Sequence, residues 1–348
     1  MSSSQTIQEL LGGYKNYRGF VYGVEIEAEG HGLPERETIY DEDGDEIVDY
    51  INPDLGAWLT HEEGSISGAE YVMSQPLPVE QTLEEIDMLF ERLTDVYGAM
   101  LTASPRTSIH VHVNCSDRSI DWLRKALPVL AAAEPFLIHH SGRHRKGNLF
   151  CLSRREAPFG WTPIINAASS CTPQQYDMKY MAVNFVPLWS SGSIEFRMMR
   201  GLTTAKQVRT WVSMISRLME AVDLIPDNHG WQHFPGELCF LMNNYGLAEM
   251  SARVSDRLEK QALQSAQEVI AALALTKPRE RPSRKSLYSL DEAVNPTSEI
   301  PMPTWSLSQF QQVSLSQFQQ VFPLPTHNTS FENTWVDEFV QMQPNSTN

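Results

Sequence analysis

The sequence contains few cysteines and no long apolar run. Its 348 residues include four cysteines, none in a CxxC pair: Cys115, Cys151, Cys171 and Cys239. This pattern fits free thiols in a reducing compartment and argues against a disulfide framework or a zinc ribbon. The most apolar stretch, ALPVLAAAEPFLI, is short and interrupted by Glu134, and the N-terminal MSSSQTIQELLGG lacks the basic and apolar regions of a signal peptide. We therefore predict a cytoplasmic protein.

Basic residues are also scarce. The chain has 43 acidic and 27 basic residues, a formal net charge of -16. This balance argues against a nucleic-acid backbone or an anionic membrane as the main partner, and it suits cationic or metal-bridged ligands better. Neither GxxxxGK[ST] nor GxGxxG occurs in the sequence. The glycine-rich loops that most often hold nucleotide phosphates are therefore absent.

Apolar residues recur at every second position in some segments and at every third or fourth position in others, which distinguishes predicted strands from predicted helices. Residues 20–29 alternate strictly between apolar and polar and predict a strand. Further strands are predicted at 70–74, 108–114, 180–188 and 191–199, and helices at 79–101, 116–140 (with Ser116 as N-cap), 203–225 and 255–275. The acid-rich stretch from Glu35 to Glu63 predicts loop or a short hairpin. This order of elements favours an α+β fold around a largely antiparallel sheet.

Composition changes at KPRERPSRK, residues 277–285. Beyond this segment Pro, Ser, Asn and Gln are in excess, and the octad SLSQFQQV occurs twice in tandem, at 306–313 and 314–321. Such a tail buries little apolar surface. We predict one folded domain over 1–276 and a flexible tail over 277–348, which could also dock on a protein partner.

Three predicted strands carry polar side chains at every second position. Side chains on one face of a strand lie about 7 Å apart. An antiparallel strand can alternate in this way merely because one face meets water. Like charges on one face, however, repel each other unless a counter-ion binds between them. The three sets are Glu25, Glu27 and Glu29; Ser108, His110, His112 and Asn114; and Ser193, Glu195 and Arg197.

These three sets converge if their strands are neighbours with aligned polar faces. Glu25, Glu27, Glu195 and one histidine would then line a single concave surface. Carboxylate oxygens with one imidazole suit Mg²⁺ or Mn²⁺, whereas zinc would want more His or Cys ligands. Two such cations beside Arg197 could neutralise phosphate oxygens during group transfer. The residues therefore indicate ATP-dependent chemistry without a P-loop.

Two other enzyme classes are compatible with some of these residues. A metal-dependent hydrolase or a phosphotransferase could use the same carboxylates and histidines. A cysteine nucleophile, Cys115 or Cys151 with a nearby histidine, has no supporting Cys-His signature in the sequence.

Five segments in order carry a resemblance to a known family. They are YGVEIEAE, HEEGSISGAEYVMSQPL, RTSIHVHVN, MKYMAVNF and SIEFRMMRG, and the resemblance that they carry covers roughly residues 18–225. This set resembles the putative amidoligase family of bacteriophages and bacteria, a branch of the glutamine synthetase-like carboxylate-amine ligases. The resemblance implies a curved sheet of the glutamine synthetase type with helices on one face, over a domain at 1–276. It also implies a ligase that uses ATP and forms an acyl phosphate at a site with two Mg²⁺ or Mn²⁺ ions.

The resemblance also implies a role for each matching residue. The metal ligands would be Glu25, Glu27, Glu70, His110 and Glu195. Arg197 would contact the transferred phosphoryl group, and Glu63 stands where the family more often has aspartate. Nucleotide or substrate contacts would come from His112, from Arg143, Arg145 and Lys146 in the basic loop before Phe150 and Cys151, and from Lys179. Glu29, Glu63 or Glu70 could take the proton from the amine.

The resemblance leaves substrates and partners open. The amine or carboxylate could belong to a cell-wall peptide, a protein side chain, a small amine or amino acid, or a modified nucleobase. Glutamine synthetase-like enzymes are often multimeric, so the resemblance makes a homo-oligomer possible but leaves the oligomeric state open, and a phage-encoded chain would act in the host cytoplasm. The alternative is an inactive member of the family that acts as a phage or bacterial binding protein through its tail.

Overall fold

The fold was examined in a computed structural model of the chain. It describes residues 5–13, 17–34, 39–40, 46–47, 53–61, 66, 68–142, 145–170, 178–224 and 256–275. None of the helices in this part of the chain combines the length and the apolar composition needed to cross a membrane. The predicted boundary at 276/277, the tail and its octads lie outside the described residues.

The described strands form one large sheet and one small hairpin. The strands are β1 (Tyr22–His31), β2 (Ile39–Tyr40), β3 (Glu46–Ile47), β4 (Trp58–His61), β5 (Gly68–Met73), β6 (Met100–Thr102), β7 (Ser108–Asn114), β8 (Val183–Asn184) and β9 (Ser193–Arg200). In the large sheet the order is β4-β5-β1-β7-β9-β8, with β6 also paired to β1. Every ladder of this sheet is antiparallel. The predicted α+β class with an antiparallel sheet is confirmed.

Helices cover the apolar side of the sheet. They are α1 (Ile7–Leu11), α2 (Val79–Asp95), α3 (Ile120–Ser141), α4 (Thr162–Ser170), α5 (Ala205–Leu224) and α6 (Asp256–Leu275). Helix α2 packs on β1, α3 on β9 and α5 on β7, while α6 packs on α3 and α4. In β1 the apolar residues Tyr22, Val24 and Ile26 are buried, and the intervening positions are half-buried. The strict alternation of the sequence thus separates a core face from a polar face.

Helix α3 begins later than its sequence predicts. Its N-cap is Ser119, whose hydroxyl accepts a hydrogen bond from the amide of Trp122. The predicted cap, Ser116, is buried and donates its hydroxyl to Oδ1 of Asn114 at 2.8 Å instead. The prediction of Ser116 was wrong because a serine hydroxyl can cap a helix or bond to a polar side chain nearby in the chain, and the sequence does not distinguish the two.

Other elements also differ from the sequence prediction, among them the helix predicted at 79–101, which ends at Asp95 before β6. The stretch from Glu35 to Glu63 contains the short hairpin of β2 and β3, as predicted, but it also contains β4, which pairs with β5 in the main sheet. The predicted strand at 180–188 is limited to β8, because the chain then turns into a short 3-10 helix, Val186–Trp189, that contains Pro187. Proline cannot donate to a sheet ladder.

Candidate active site

Polar side chains form a band across four neighbouring strands of the sheet. The registers place Glu27 of β1 opposite Glu70 of β5, Glu25 of β1 opposite His110 of β7, and His112 of β7 opposite Glu195 of β9. Directly paired residues in an antiparallel sheet point to the same face. The predicted convergence of the three polar strands therefore occurs, and β5 adds a fourth.

Glu25 lies at the centre of this band. Its Oε2 is 2.9 Å from Nδ1 of His110, and its Oε1 is 3.1 Å from Nε2 of His112. Burial alone would raise the pKa of Glu25, but the hydrogen bond with His110 and the proximity of both imidazole rings outweigh it and hold that pKa well below its ordinary value. Glu25 is therefore an anion available to a cation over the whole physiological pH range.

A chain of hydrogen bonds joins Glu27 to the same centre. The Ser108 hydroxyl donates to Oε2 of Glu27 at 2.8 Å and lies 2.8 Å from Nε2 of the buried His110. Oε1 of Glu27 is 4.0 Å from the same ring nitrogen. Ser108 and His110 are two residues apart on β7, so both side chains lie on the polar face next to β1. Ser108 fixes the carboxylate of Glu27 relative to the imidazole.

Glu195 is buried on the other side of His112. Asn184 of β8 donates its amide to Oε2 of Glu195 at 2.6 Å, and Arg197 donates Nη1 to Oε1. Nδ1 of His112 is 3.1 Å from the Ser193 hydroxyl. Burial lowers the pKa of His112, but the carboxylates of Glu25 and Glu195 more than compensate, so the pKa lies above its ordinary value.

Two overlapping groups of these side chains have the spacing of a metal site. One is Glu25, Glu70 and His110, and the other is Glu25, His112 and Glu195. Within each group one ligand atom per residue lies within 4.8 Å of the others. Glu25 belongs to both groups, whereas Glu27 belongs to neither. Oxygen ligands with an imidazole are a donor set that Mg²⁺ or Mn²⁺ accepts.

The environment of His112 supports a cation at this place. Among the residues that the structure describes, its buried Nε2 has no hydrogen-bond partner: it lies 3.1 Å from Oε1 of Glu25 and 3.7 Å from Oε1 of Glu195, and neither contact has hydrogen-bonding geometry. A buried ring nitrogen without a hydrogen bond needs another partner. A metal ion between His112 and the two carboxylates would provide it, so the residues fit a divalent cation.

Some of the basic residues predicted to contact a ligand lie at the site, and others lie around it. Arg197 is partly exposed, and its Nε donates to the carbonyl of Phe150 at 3.4 Å. Arg145 is buried and donates to backbone carbonyls of β9. Lys146 and Lys179 are exposed, and Nζ of Lys179 lies 5.2 Å from the ring centroid of Tyr180. Ligand contacts by these four residues remain predictions, and Glu63 and Arg143 lie outside the described residues.

Asn184 is a contact of the site that the sequence did not single out. Its amide holds Glu195, while its Oδ1 accepts from the amide of Val186 at 3.0 Å. The only sequence signal was one amide side chain within the apolar run MAVNFV. His61 is a second case, because the register of β4 and β5 places it opposite Glu70.

Two of the cysteines are unsuited to nucleophilic chemistry. Cys115 and Cys151 are both buried free thiols. Burial raises the pKa of each thiol above its ordinary value, so the reactive thiolate is disfavoured. The burial and the raised pKa of these two thiols do not support a cysteine nucleophile at either position.

Comparison with known proteins adds an independent observation. The model of a family described as "putative amidoligase enzyme" matches residues 57–219. This range contains Glu70, His110, His112, Glu195 and Arg197, while β1 with Glu25 and Glu27 precedes it. No curated protein matches the chain. The resemblance predicted from the sequence is thus confirmed over residues 57–219, which match the model of this amidoligase family.

Proposed function

We propose that this chain is an ATP-dependent carboxylate-amine ligase that forms an amide or isopeptide bond through an acyl phosphate. The observation that carries the proposal is the pair of ligand groups that share Glu25, with Arg197 held beside them on Glu195. The family match supports a ligase in general. The sheet then serves as the platform for these side chains, since the strands that carry them are neighbours in it.

The two ligand groups would hold Mg²⁺ or Mn²⁺. Glu25, Glu70 and His110 would bind one ion, and Glu25, His112 and Glu195 the other. When bound, such ions neutralise the phosphate oxygens of ATP and orient its γ-phosphate for transfer. The carboxylates raise the pKa of His112, so this ring would lose its proton when an ion binds, because a metal takes the neutral imidazole.

Arg197 would stabilise negative charge on the transferred phosphoryl group. Its guanidinium is fixed at two points, by Oε1 of Glu195 and by the carbonyl of Phe150. A guanidinium held in this way is preorganised, so little reorganisation is needed in the transition state. Glu27, fixed by Ser108, keeps further negative charge beside the metal-binding groups.

The reaction would proceed in two steps. An oxygen of the substrate carboxylate attacks the γ-phosphorus of ATP, the bond to the β-phosphate oxygen breaks, and ADP leaves. The amine then attacks the carbonyl carbon of the acyl phosphate, inorganic phosphate leaves with the bonding electrons, and the amine loses a proton. Glu29 at the end of β1, Glu70 in one ligand group, and Glu63 are candidates for the proton acceptor.

Product analysis tests this proposal against its alternatives. Purified protein should release ADP and phosphate from ATP and Mg²⁺ only when a carboxylate and an amine from a pooled substrate set are both present, and mass spectrometry should detect the amide. Turnover without ATP would favour a hydrolase, and a phosphorylated product without an amide would favour a phosphotransferase. A folded protein that binds no Mg²⁺-ATP would support a binding protein that has kept the fold.

A further inference from the structure

Strand β9 carries an irregularity at Arg197. Ile109 of β7 pairs with Met199, but Val111 pairs with Phe196, so two steps along β7 correspond to three along β9. The extra residue is a β-bulge at positions 197 and 198. A bulge leaves backbone groups unpaired in the ladder and changes the direction of the local side chains. Buried carbonyls in such a place need another donor.

Arg145 supplies that donor. Its Nη2 donates to the carbonyl of Arg197 at 2.8 Å, and its Nε donates to the carbonyl of Met198 at 3.2 Å. Arg145 is 2% exposed, so its guanidinium is committed to the backbone and has almost no surface for a ligand. The planar guanidinium of arginine has several N–H donors and can bond two successive carbonyls at once. Lysine has a single ammonium nitrogen and cannot reproduce this geometry.

The same loop also contacts the side chain of Arg197, and a segment paired with the loop holds its amide. The amide of Arg197 donates to the carbonyl of Ala182 at 2.9 Å, and its side chain donates to the carbonyl of Phe150. Leu152 joins the two segments, because its amide donates to the carbonyl of Tyr180 at 2.7 Å and its carbonyl accepts from the amide of Ala182 at 2.8 Å. The loop that begins at Arg145 thus holds the carbonyl and the side chain of Arg197, and Ala182, which is joined to that loop through Leu152, holds its amide.

We propose that Arg145 is a positioning residue, which directs Arg197 into the site by holding the carbonyls of the β9 bulge. This replaces the ligand contact that the resemblance implies for Arg145. The role of Arg197 in catalysis rests on the proposed function. The contact between Arg145 and the bulge is independent of that function.

The first test needs no activity. Hydrogen exchange measured by mass spectrometry should show faster exchange over residues 193–200 in Arg145→Lys than in the wild type, with the other strands of the sheet unchanged. The matched control is Arg124→Lys, because the guanidinium of Arg124 on α3 also donates to a backbone carbonyl, that of Ala168 on α4 at 2.7 Å, and not to β9. Unchanged exchange over 193–200 would overturn the proposal, and so would a loss of protection throughout the sheet.

The second test is a double-mutant cycle on ATP turnover. Arg145→Lys should lower kcat for ADP release by about 10²-fold, the typical effect of a misplaced catalytic group, with little change in the KM for ATP. In an Arg197→Ala background the same change should have almost no further effect. An equal loss in both backgrounds would indicate a merely structural role, and an increase in the KM for ATP alone would indicate a direct phosphate contact. Either result would overturn the proposal.

The two tests separate this inference from the proposed function. If the wild type releases no ADP under any substrate condition, the proposed function fails and the exchange comparison alone decides the role of Arg145. Arg145→Gln provides a second variant, because its amide can reach one of the two carbonyls. Exchange over 193–200 in Arg145→Gln should be faster than in the wild type and slower than in Arg145→Lys. Exchange no faster than in the wild type would again contradict the proposal.

Discussion

Glu25 and His110 lie directly opposite each other on β1 and β7, with Oε2 of the carboxylate 2.9 Å from Nδ1 of the ring. Two residues further along β7, His112 reaches the other oxygen of the same carboxylate. One side chain therefore joins the two groups that could bind a metal. This arrangement allows the contribution of each group to be tested separately.

Substitution of Glu25 should weaken both metal sites, whereas substitution of Glu70 should weaken one. Titration of Mn²⁺ followed by electron paramagnetic resonance should give two bound ions for the wild type and one for Glu70→Gln. For Glu25→Gln, both ions should bind about 10²-fold or more weakly, since loss even of an outer partner costs 10- to 100-fold. Glu84→Gln, an exposed site on α2, removes the same charge and should match the wild type. Two tightly bound ions in Glu25→Gln would contradict the shared-ligand arrangement.

Removal of the Asn184 amide should loosen the ligand that it holds. Because Asn184 donates to the buried Glu195 at 2.6 Å, Asn184→Ala should lower the affinity of one Mn²⁺ ion by about 10- to 100-fold and leave the other unchanged. The same Mn²⁺ titration measures this effect. An unchanged affinity for both ions would show that Asn184 has no effect on metal binding through Glu195.

Loss of the Arg197 guanidinium should slow phosphoryl transfer. Arg197→Ala should lower kcat for ADP release by about 10³-fold, the lower range for an arginine that stabilises a transferred phosphoryl group. Arg197→Lys should recover little of this, since lysine lacks the fork that meets Glu195 and Phe150 together. Steady-state kinetics measure both values, and circular dichroism checks the fold. Near-normal kcat in Arg197→Ala would remove Arg197 from the mechanism.

Glu134 should make the stability of the fold depend on pH. This carboxyl is buried in α3, and its Oε1 has no hydrogen-bond partner in the part of the chain that the structure describes. Burial raises its pKa from 4.5 to about 8, although the amide of Arg154 lowers it somewhat. Between these two values the folded chain holds a proton that the unfolded chain has lost. The free energy of unfolding should therefore fall as the pH rises through this range, by up to about 1.4 kcal/mol per pH unit.

The corresponding variant removes this dependence. Glu134→Gln keeps an oxygen that can accept from the Arg154 amide but cannot ionise, so its free energy of unfolding should change less steeply between about pH 5 and 8. Urea unfolding at several pH values measures the slope, and Glu84→Gln serves as the control for loss of an acidic group. Equal slopes in the wild type and Glu134→Gln would show that Glu134 is ionised in the folded state.

The sequence predicted the polar band because strand geometry depends on local pattern. Alternation placed Glu25, His110 and Glu195 on polar faces, and antiparallel pairing of neighbouring strands then brought them together. The position of Glu25 between two histidines depends on register, which pattern alone does not give. The same limit explains why β4 was missed, since four residues in an acid-rich stretch give little periodicity.

The role of Arg145 could not be predicted for a different reason. Its partners are backbone carbonyls 52 and 53 residues away along the chain. Every residue has a carbonyl, so no side-chain pattern indicates which ones a bulge leaves unpaired. A basic loop in an acidic protein favoured a ligand contact. Only the register shift between β7 and β9 reveals the need for a buried donor.

The most direct test of the account is a calorimetric titration of ATP into the wild type and Glu25→Gln, each with and without Mg²⁺. The account predicts a binding isotherm for the wild type that depends on Mg²⁺ and is lost or strongly weakened in Glu25→Gln, while Glu84→Gln behaves as the wild type. Absence of ATP binding to the wild type under both conditions, or undiminished binding to Glu25→Gln, would contradict it.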